Sequence, residues 1–100
     1  MYRGTTPTIT FTIPFSVDDI VSCWITISQN RQVIIDKPIE ECELNGSTIR
    51  TTLTQEETLR LGVSDKTEIQ LRLRLAAQDT TLASRIYTLT TERILKEGVI

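Results

Sequence analysis

Near the start of the chain, apolar and polar residues trade places at every step. Ile9, Phe11 and Ile13 alternate with Thr8, Thr10 and Thr12, the two-residue period of a strand with one buried face. Pro14 lacks a ladder donor, so it ends that strand or leaves it at a sheet edge. Val21, Cys23, Ile25 and Ile27 repeat the period, which predicts a second strand over 21–28 with Trp24 on the opposite face. Gln29-Asn30-Arg31-Gln32 is polar and turns the chain into 33–36 as a hairpin.

Beyond Pro38 the alternation resumes over 39–44, with Cys42 and Leu44 inward and Glu41 and Glu43 toward water. Asn45-Gly46 follows, a strong two-residue hairpin signal because both residues tolerate the positive φ of a type I′ turn. The return strand, 47–53, points Ile49 and Leu53 inward with Thr51 between them. Then the period changes. Thr54-Gln55-Glu56-Glu57 has the form of a capping box, predicting a helix of a turn or two over 55–61 that Gly62 closes and that bridges two sheets.

Residues 68–75 set Ile69, Leu71, Leu73 and Leu75 against Gln70, Arg72 and Arg74. The last strand, 82–94, is less regular, since Leu82 and Ile86 share one parity while Tyr87 and Leu89 share the other. Pairing Leu73 with Ile86 would oppose Arg74 to Arg85, and like charges directly opposed are unfavourable. The expected register therefore sets Leu73 opposite Tyr87 and Leu71 opposite Leu89, or a bulge near Ile86 changes the phase. About seven strands at such spacings, with hairpin signals between them, predict an all-β, antiparallel immunoglobulin-like β-sandwich with one short helix. A small barrel is the other architecture this pattern allows. The whole of 1–100 is expected to form one domain, with 1–7 and 96–100 as flexible ends.

Composition sharpens this reading. The chain holds 17 Thr, 13 Ile and 5 Val against 3 Ala, a balance that favours pleated strands over helices. It contains no His, which removes the commonest general base and metal ligand and every Ser-His or Cys-His nucleophile. Eleven Lys and Arg against thirteen Asp and Glu give a net charge of −2, without the basic excess of a nucleic-acid-binding domain. No run approaches the roughly 20 apolar residues that span a bilayer, and residues 1–7 lack the apolar core of a secretion signal. A soluble cytoplasmic product is expected. Cys23 and Cys42 lie in strand-like patterns beside apolar neighbours, which predicts buried free thiols; two Cys without His make a poor zinc set.

Candidate chemistry is sparse. Glu40, Glu41 and Glu43 are the densest acidic group, but strand alternation divides them between faces, which favours a solvated edge over a cation site. Asp18 and Asp19 lack a second pair or a nucleophile and read as loop formers. Arg72, Arg74, Arg85 and Arg93 would make an outward basic stripe that Glu68 and Glu92 dilute. Trp24 is the most informative residue: either the 14–20 connection covers it with Phe15, Val17 and Ile20, or it anchors a protein interface. Tyr87 carries the same two readings. Val99 and Ile100 are apolar yet lie beyond Gly98, outside any predicted element.

Arg3-Gly4-Thr5-Thr6-Pro7-Thr8 with Phe11-Thr12-Ile13-Pro14-Phe15, then Ile27-Ser28-Gln29-Asn30, Leu53-Thr54-Gln55-Glu56-Glu57-Thr58 and the closing Arg93-Ile94-Leu95-Lys96-Glu97-Gly98-Val99-Ile100, resemble a group of small phage and prophage proteins of Gram-positive gut bacteria, most of them uncharacterised. The resemblance spans nearly the whole chain. It implies a virion structural or tail-associated protein, made in the bacterial host cytoplasm and then built into the particle, with no catalytic residues to carry over.

The expectation is therefore a non-enzymatic structural or assembly protein of tail, baseplate or capsid. Its partners would be other phage structural proteins, with a homo-oligomer possible and no nucleic acid or membrane involved. Trp24, Tyr87, Val99 and Ile100 are the interface candidates, and no catalytic residue, metal or cofactor is expected. The alternative is an accessory carbohydrate- or ligand-binding module in which Trp24 and Tyr87 serve as stacking platforms.

Overall fold

A computed structural model describes the backbone of residues 1–100 and every side chain except that of Gln78. Eight strands form two antiparallel sheets. The smaller sheet has the order β1 (Thr8–Thr12), β5 (Thr48–Thr52), β4 (Glu43–Asn45); the larger runs β3 (Gln32–Pro38), β2 (Ile20–Gln29), β6 (Ser64–Leu75), after which β7 (Thr81–Ala83) and β8 (Tyr87–Thr91) share the far edge of β6. The expected all-β, antiparallel sandwich with one short helix is thus present, and the hairpin partners β2 and β3 lie side by side in one of its sheets. Helix α1 (Gln55–Leu59) carries the chain from β5 in the small sheet to β6 in the large one.

Apart from Val21, the core lies where the period-2 pattern put it. Ile25 and Ile27 of β2, Ile35 of β3, Ile49 of β5, and Ile69, Leu71 and Leu73 of β6 are buried between the sheets together with Leu53 and Leu61. Each such aliphatic side chain contributes about 1.5–3 kcal/mol when fully withdrawn from water. Polar residues that enter this core are all partnered: Thr51 donates to the Glu41 carbonyl (3.0 Å), Thr58 to the Thr5 carbonyl (2.8 Å), and Thr67 and Thr91 bond each other. Gln29 clamps Gly62, accepting from its N–H (2.8 Å) and donating to its carbonyl (2.7 Å).

Six local readings need correction. Val21, expected on the core face of β2, is 44% exposed, because the register shifts between Ile20 and Ser22 and Ile20 takes the inward position instead. The type I′ turn is at Asn30-Arg31, with φ of 53° and 63°, between the paired residues Gln29 and Gln32. At the Asn-Gly signal, Asn45 stays in β4 opposite Thr48, and the loop is Gly46-Ser47 with only Gly46 left-handed; glycine at the first central position marks a type II′ hairpin. Residues 39–41 wind into a 3-10 turn, so β4 begins only at Glu43. The helix stops at Leu59, and Gly62 is not left-handed, because the Arg3 guanidinium donates to the Leu59 (3.0 Å) and Leu61 carbonyls and so satisfies the end that a glycine cap would otherwise serve.

The sixth correction concerns the last strand. It divides into β7 and β8, and neither proposed register occurs: Leu73 faces Leu82, and Ile69 faces Tyr87. The phase changes across 84–86, between the two pieces, in line with the alternative of a phase change near Ile86. Ser84 bridges that break, since its hydroxyl accepts from the Leu71 N–H (3.0 Å) where a strand carbonyl would stand, and its own N–H donates to the Leu71 carbonyl (2.8 Å). The Arg74–Arg85 opposition is avoided altogether.

The chain ends make defined contacts. Arg3 N–H donates to the Glu92 carbonyl (3.1 Å) and Glu92 N–H to the Met1 carbonyl (2.7 Å), extending β8 by an isolated bridge to Tyr2. At the other end Gln55 accepts from the Ile100 N–H (2.8 Å) and donates to its carbonyl (3.2 Å).

Candidate functional site

The two sheets differ in width, and that difference opens one side of the sandwich. β1 is the end strand of the three-stranded sheet, while β7 and β8 form the edge of the five-stranded one. Phe11 faces inward from β1, opposite buried Ile49, and Tyr87 faces inward from β8, opposite buried Ile69. Their rings meet edge to face across the gap, with centroids 5.7 Å apart and planes at 69°, a geometry favoured by the ring quadrupoles. No further strand of the small sheet extends over the inner face of β7 and β8, so Tyr87 remains 40% exposed and Leu82 39%.

Two adjoining clefts flank this aromatic contact. One, of about 390 Å³, is lined by Ile9, Phe11, Ile69 and Tyr87; the other, of about 180 Å³, by Phe15, Leu71, Leu73 and Leu82. Arg85 guards the rim, its guanidinium carbon 4.3 Å from the Tyr87 ring centroid, and it makes no ion pair among the described residues. The result is an apolar trough bounded by two strand edges, with one unneutralised cation at its lip.

The interface candidates do not converge. Trp24 lies on the outer face of the large sheet, in register between Pro38 of β3 and Arg72 of β6, and is 44% exposed. The 14–20 connection does not cover it: Val17 and Ile20 turn into the core and Phe15 packs against it. Tyr87 is on the inner face of that same sheet, so the two rings form no common platform. Val99 and Ile100 sit beside the start of α1, Val99 lining an open cleft with Thr6, Leu53 and Gln55, with both side chains largely exposed.

The charged groups also separate. Glu43 pairs with Arg50 (2.6 Å) and Arg74 with Asp79 (3.1 Å). Asp18 and Asp19 form a 3-10 turn capped by the Ser16 hydroxyl. Among the described residues no group of three Cys, Asp or Glu could hold a metal ion, and no helix is long and apolar enough to cross a membrane.

The opposite side of the sandwich carries a feature that sequence reading missed. Lys37 occupies an inward position of β3, two residues after Ile35, and is only 5% exposed. Its ammonium lies 2.7 Å from the Glu57 carboxylate and 4.0 Å from that of Glu41. Glu57 accepts at the same time from the Thr54 N–H (2.9 Å), as the expected capping box requires. Burial alone would push the Glu57 carboxyl up, but the hydrogen bond from Lys37, the Thr54 N–H, the Lys37 charge and the Thr54 hydroxyl outweigh it and hold the group below its usual value of 4.5. Cys42 is close by, its thiol donating to the Pro38 carbonyl (3.3 Å), with Cys23 beneath it on β2. The signal was present in the parity of Lys37 with Ile35.

Comparison with known proteins returns no matching family model, curated protein or solved structure.

Proposed function

We propose that this protein works by protein–protein contact, as a non-enzymatic structural or assembly component of a phage particle associated with its tail, baseplate or capsid. One observation carries the contact reading: the apolar trough between the β1 edge and the β7–β8 edge, where Phe11, Leu82 and Tyr87 offer side-chain pockets beside unpaired backbone. That combination suits an extended segment of another protein, added as a strand along β1 with alternate apolar side chains filling the trough. Arg85 at the lip favours a segment carrying a carboxylate there. The particle context rests on the resemblance borne by residues 3–8, 11–15, 27–30, 53–58 and 93–100.

Titration of the isotope-labelled chain with an acetylated six-residue peptide, alternating Val and Thr with one terminal Asp, tests the contact reading by amide chemical shifts. Shifts confined to 8–13 and 82–87, lost in the Leu82→Glu chain, are expected. Shifts centred on Trp24, or none at millimolar peptide, overturn it.

A further inference from the structure

The side of the sandwich away from the trough holds both cysteines, and the fold brings these sulfurs together from different parts of the chain. Cys23 projects from the inner face of β2 and is 1% exposed. The next residue, Trp24, stands opposite Pro38 in the β2–β3 register. Past Pro38 the 3-10 turn reverses the chain, with the Cys42 N–H donating to the Ile39 carbonyl (3.0 Å), and this places the Cys42 sulfur 3.3 Å from the Pro38 carbonyl. Cys42 is thereby folded back over the end of β3 and packs against the core that Cys23 belongs to, and the two thiols are near enough to shift each other's ionisation. Cys42 is half-buried and reaches solvent; Cys23 does not.

We propose that Cys23 and Cys42 are an oxidisable dithiol, which a hydroperoxide closes into a disulfide joining β2 of the large sheet to the entry of β4 in the small one.

The surroundings assign each sulfur a part. The neighbouring Cys23 thiol lowers Cys42 below its ordinary value, against the opposing effects of burial and of the Glu41 and Glu40 carboxylates, and the Lys37 ammonium lowers it further. Cys23 is pushed up by the neighbouring Cys42 thiol, by burial and by the negative charge around it. Cys42 is thus the thiolate that attacks and Cys23 the thiol that resolves. In the first step the Cys42 sulfur attacks a peroxide oxygen, the O–O bond breaks, and the leaving oxygen takes a proton, giving an alcohol or water and a Cys42 sulfenic acid. In the second the Cys23 sulfur attacks the Cys42 sulfur, the S–O bond breaks, and the hydroxide leaves as water with the Cys23 proton. Two thiols lose two electrons, and the hydroperoxide gains them.

The bond would close the loop from 23 to 42 and pin the β3–β4 side of the sandwich, leaving the trough on the β1–β8 side open. A loop of that length restricts the unfolded chain enough to raise the thermal midpoint of a domain this size by about 10–20 °C.

The experiment treats the full reduced chain with hydrogen peroxide. Expected are a mass lower by two hydrogens, tryptic peptides 4–31 and 32–50 recovered as one linked species, a monomeric product, and the raised thermal midpoint, all reversed by a dithiol reductant. In the Cys23→Ser chain, Cys42 should instead accumulate a dimedone-reactive sulfenic acid; in the Cys42→Ser chain, Cys23 should stay unmodified. The proposal is overturned if the native chain gains oxygen on Cys42 with the peptides unlinked, if the link joins two chains, or if both thiols survive peroxide that fully oxidises a free cysteine peptide. The native-chain measurements decide the matter even where a serine variant fails to fold.

Discussion

Lys37 shows what a single inward side chain can demand of its neighbours. An ammonium withdrawn from water costs several kcal/mol unless paired and hydrogen-bonded, and here Glu57 supplies the pairing while also capping α1. Lys37→Met alone leaves the Glu57 carboxylate buried without its counter-charge and should destabilise the fold by about 3–5 kcal/mol in urea unfolding; replacing both partners, with Glu57→Leu, should recover most of that loss. The pH dependence follows from the direction of the Glu57 shift. Its folded value lies below the unfolded one of 4.5, so its contribution is complete above about pH 5 and fades as the pH falls through the folded value. Unfolding free energy measured against pH should show that decline, and Glu57→Gln should remove this part of it. Cys23, Ile25 and Ile27 were legible as core from parity alone. Lys37 shared the parity of Ile35, but a lysine at an inward position is explained only by a carboxylate twenty residues away in sequence.

At the scale of elements, local chemistry named the segments and tertiary contacts moved their ends. The capping box at Thr54 is formed as read, since every group in it lies within one turn. The other end of α1 is set by Arg3, which no local pattern links to Leu59. Turn type shows the same division. Asn45 could have adopted the left-handed region, yet pairing with Thr48 holds it in β4, while Arg31 is forced into that region to let Gln29 meet Gln32. A left-handed non-glycine residue costs about 1–2 kcal/mol, and glycine returns part of that gain as chain entropy. Arg31→Gly should therefore stabilise the chain by about 0.5–1 kcal/mol, seen as a higher urea midpoint at unchanged slope. The change of phase near Ile86 was legible in the clash of parities, but the registers on either side of it were not, because the Ser84 hydroxyl stands in for a backbone carbonyl, a substitution that hydrophobic parity does not register.

For the molecule as a whole, β2 and β6 lie side by side at the centre of the large sheet, and β1, β7 and β8 stand at edges. Local opening follows burial and pairing, so amide exchange should be slowest in 23–27 and 69–73 and fastest, among the strands, in 81–83; protection of β7 equal to that of β2 would mean that the trough side is closed in solution. The all-β class, the inward aliphatic positions other than Val21, the first hairpin and the cap of α1 were legible along the chain, because each depends on a period or a contact within a few residues. Only the tertiary structure decided that the sheets hold three and five strands, that Trp24 and Tyr87 face opposite ways, that Lys37 meets Glu57, and that Cys42 comes near Cys23. Those outcomes depend on which distant strands become neighbours, and a two-residue period states which face of a strand is buried without stating what buries it.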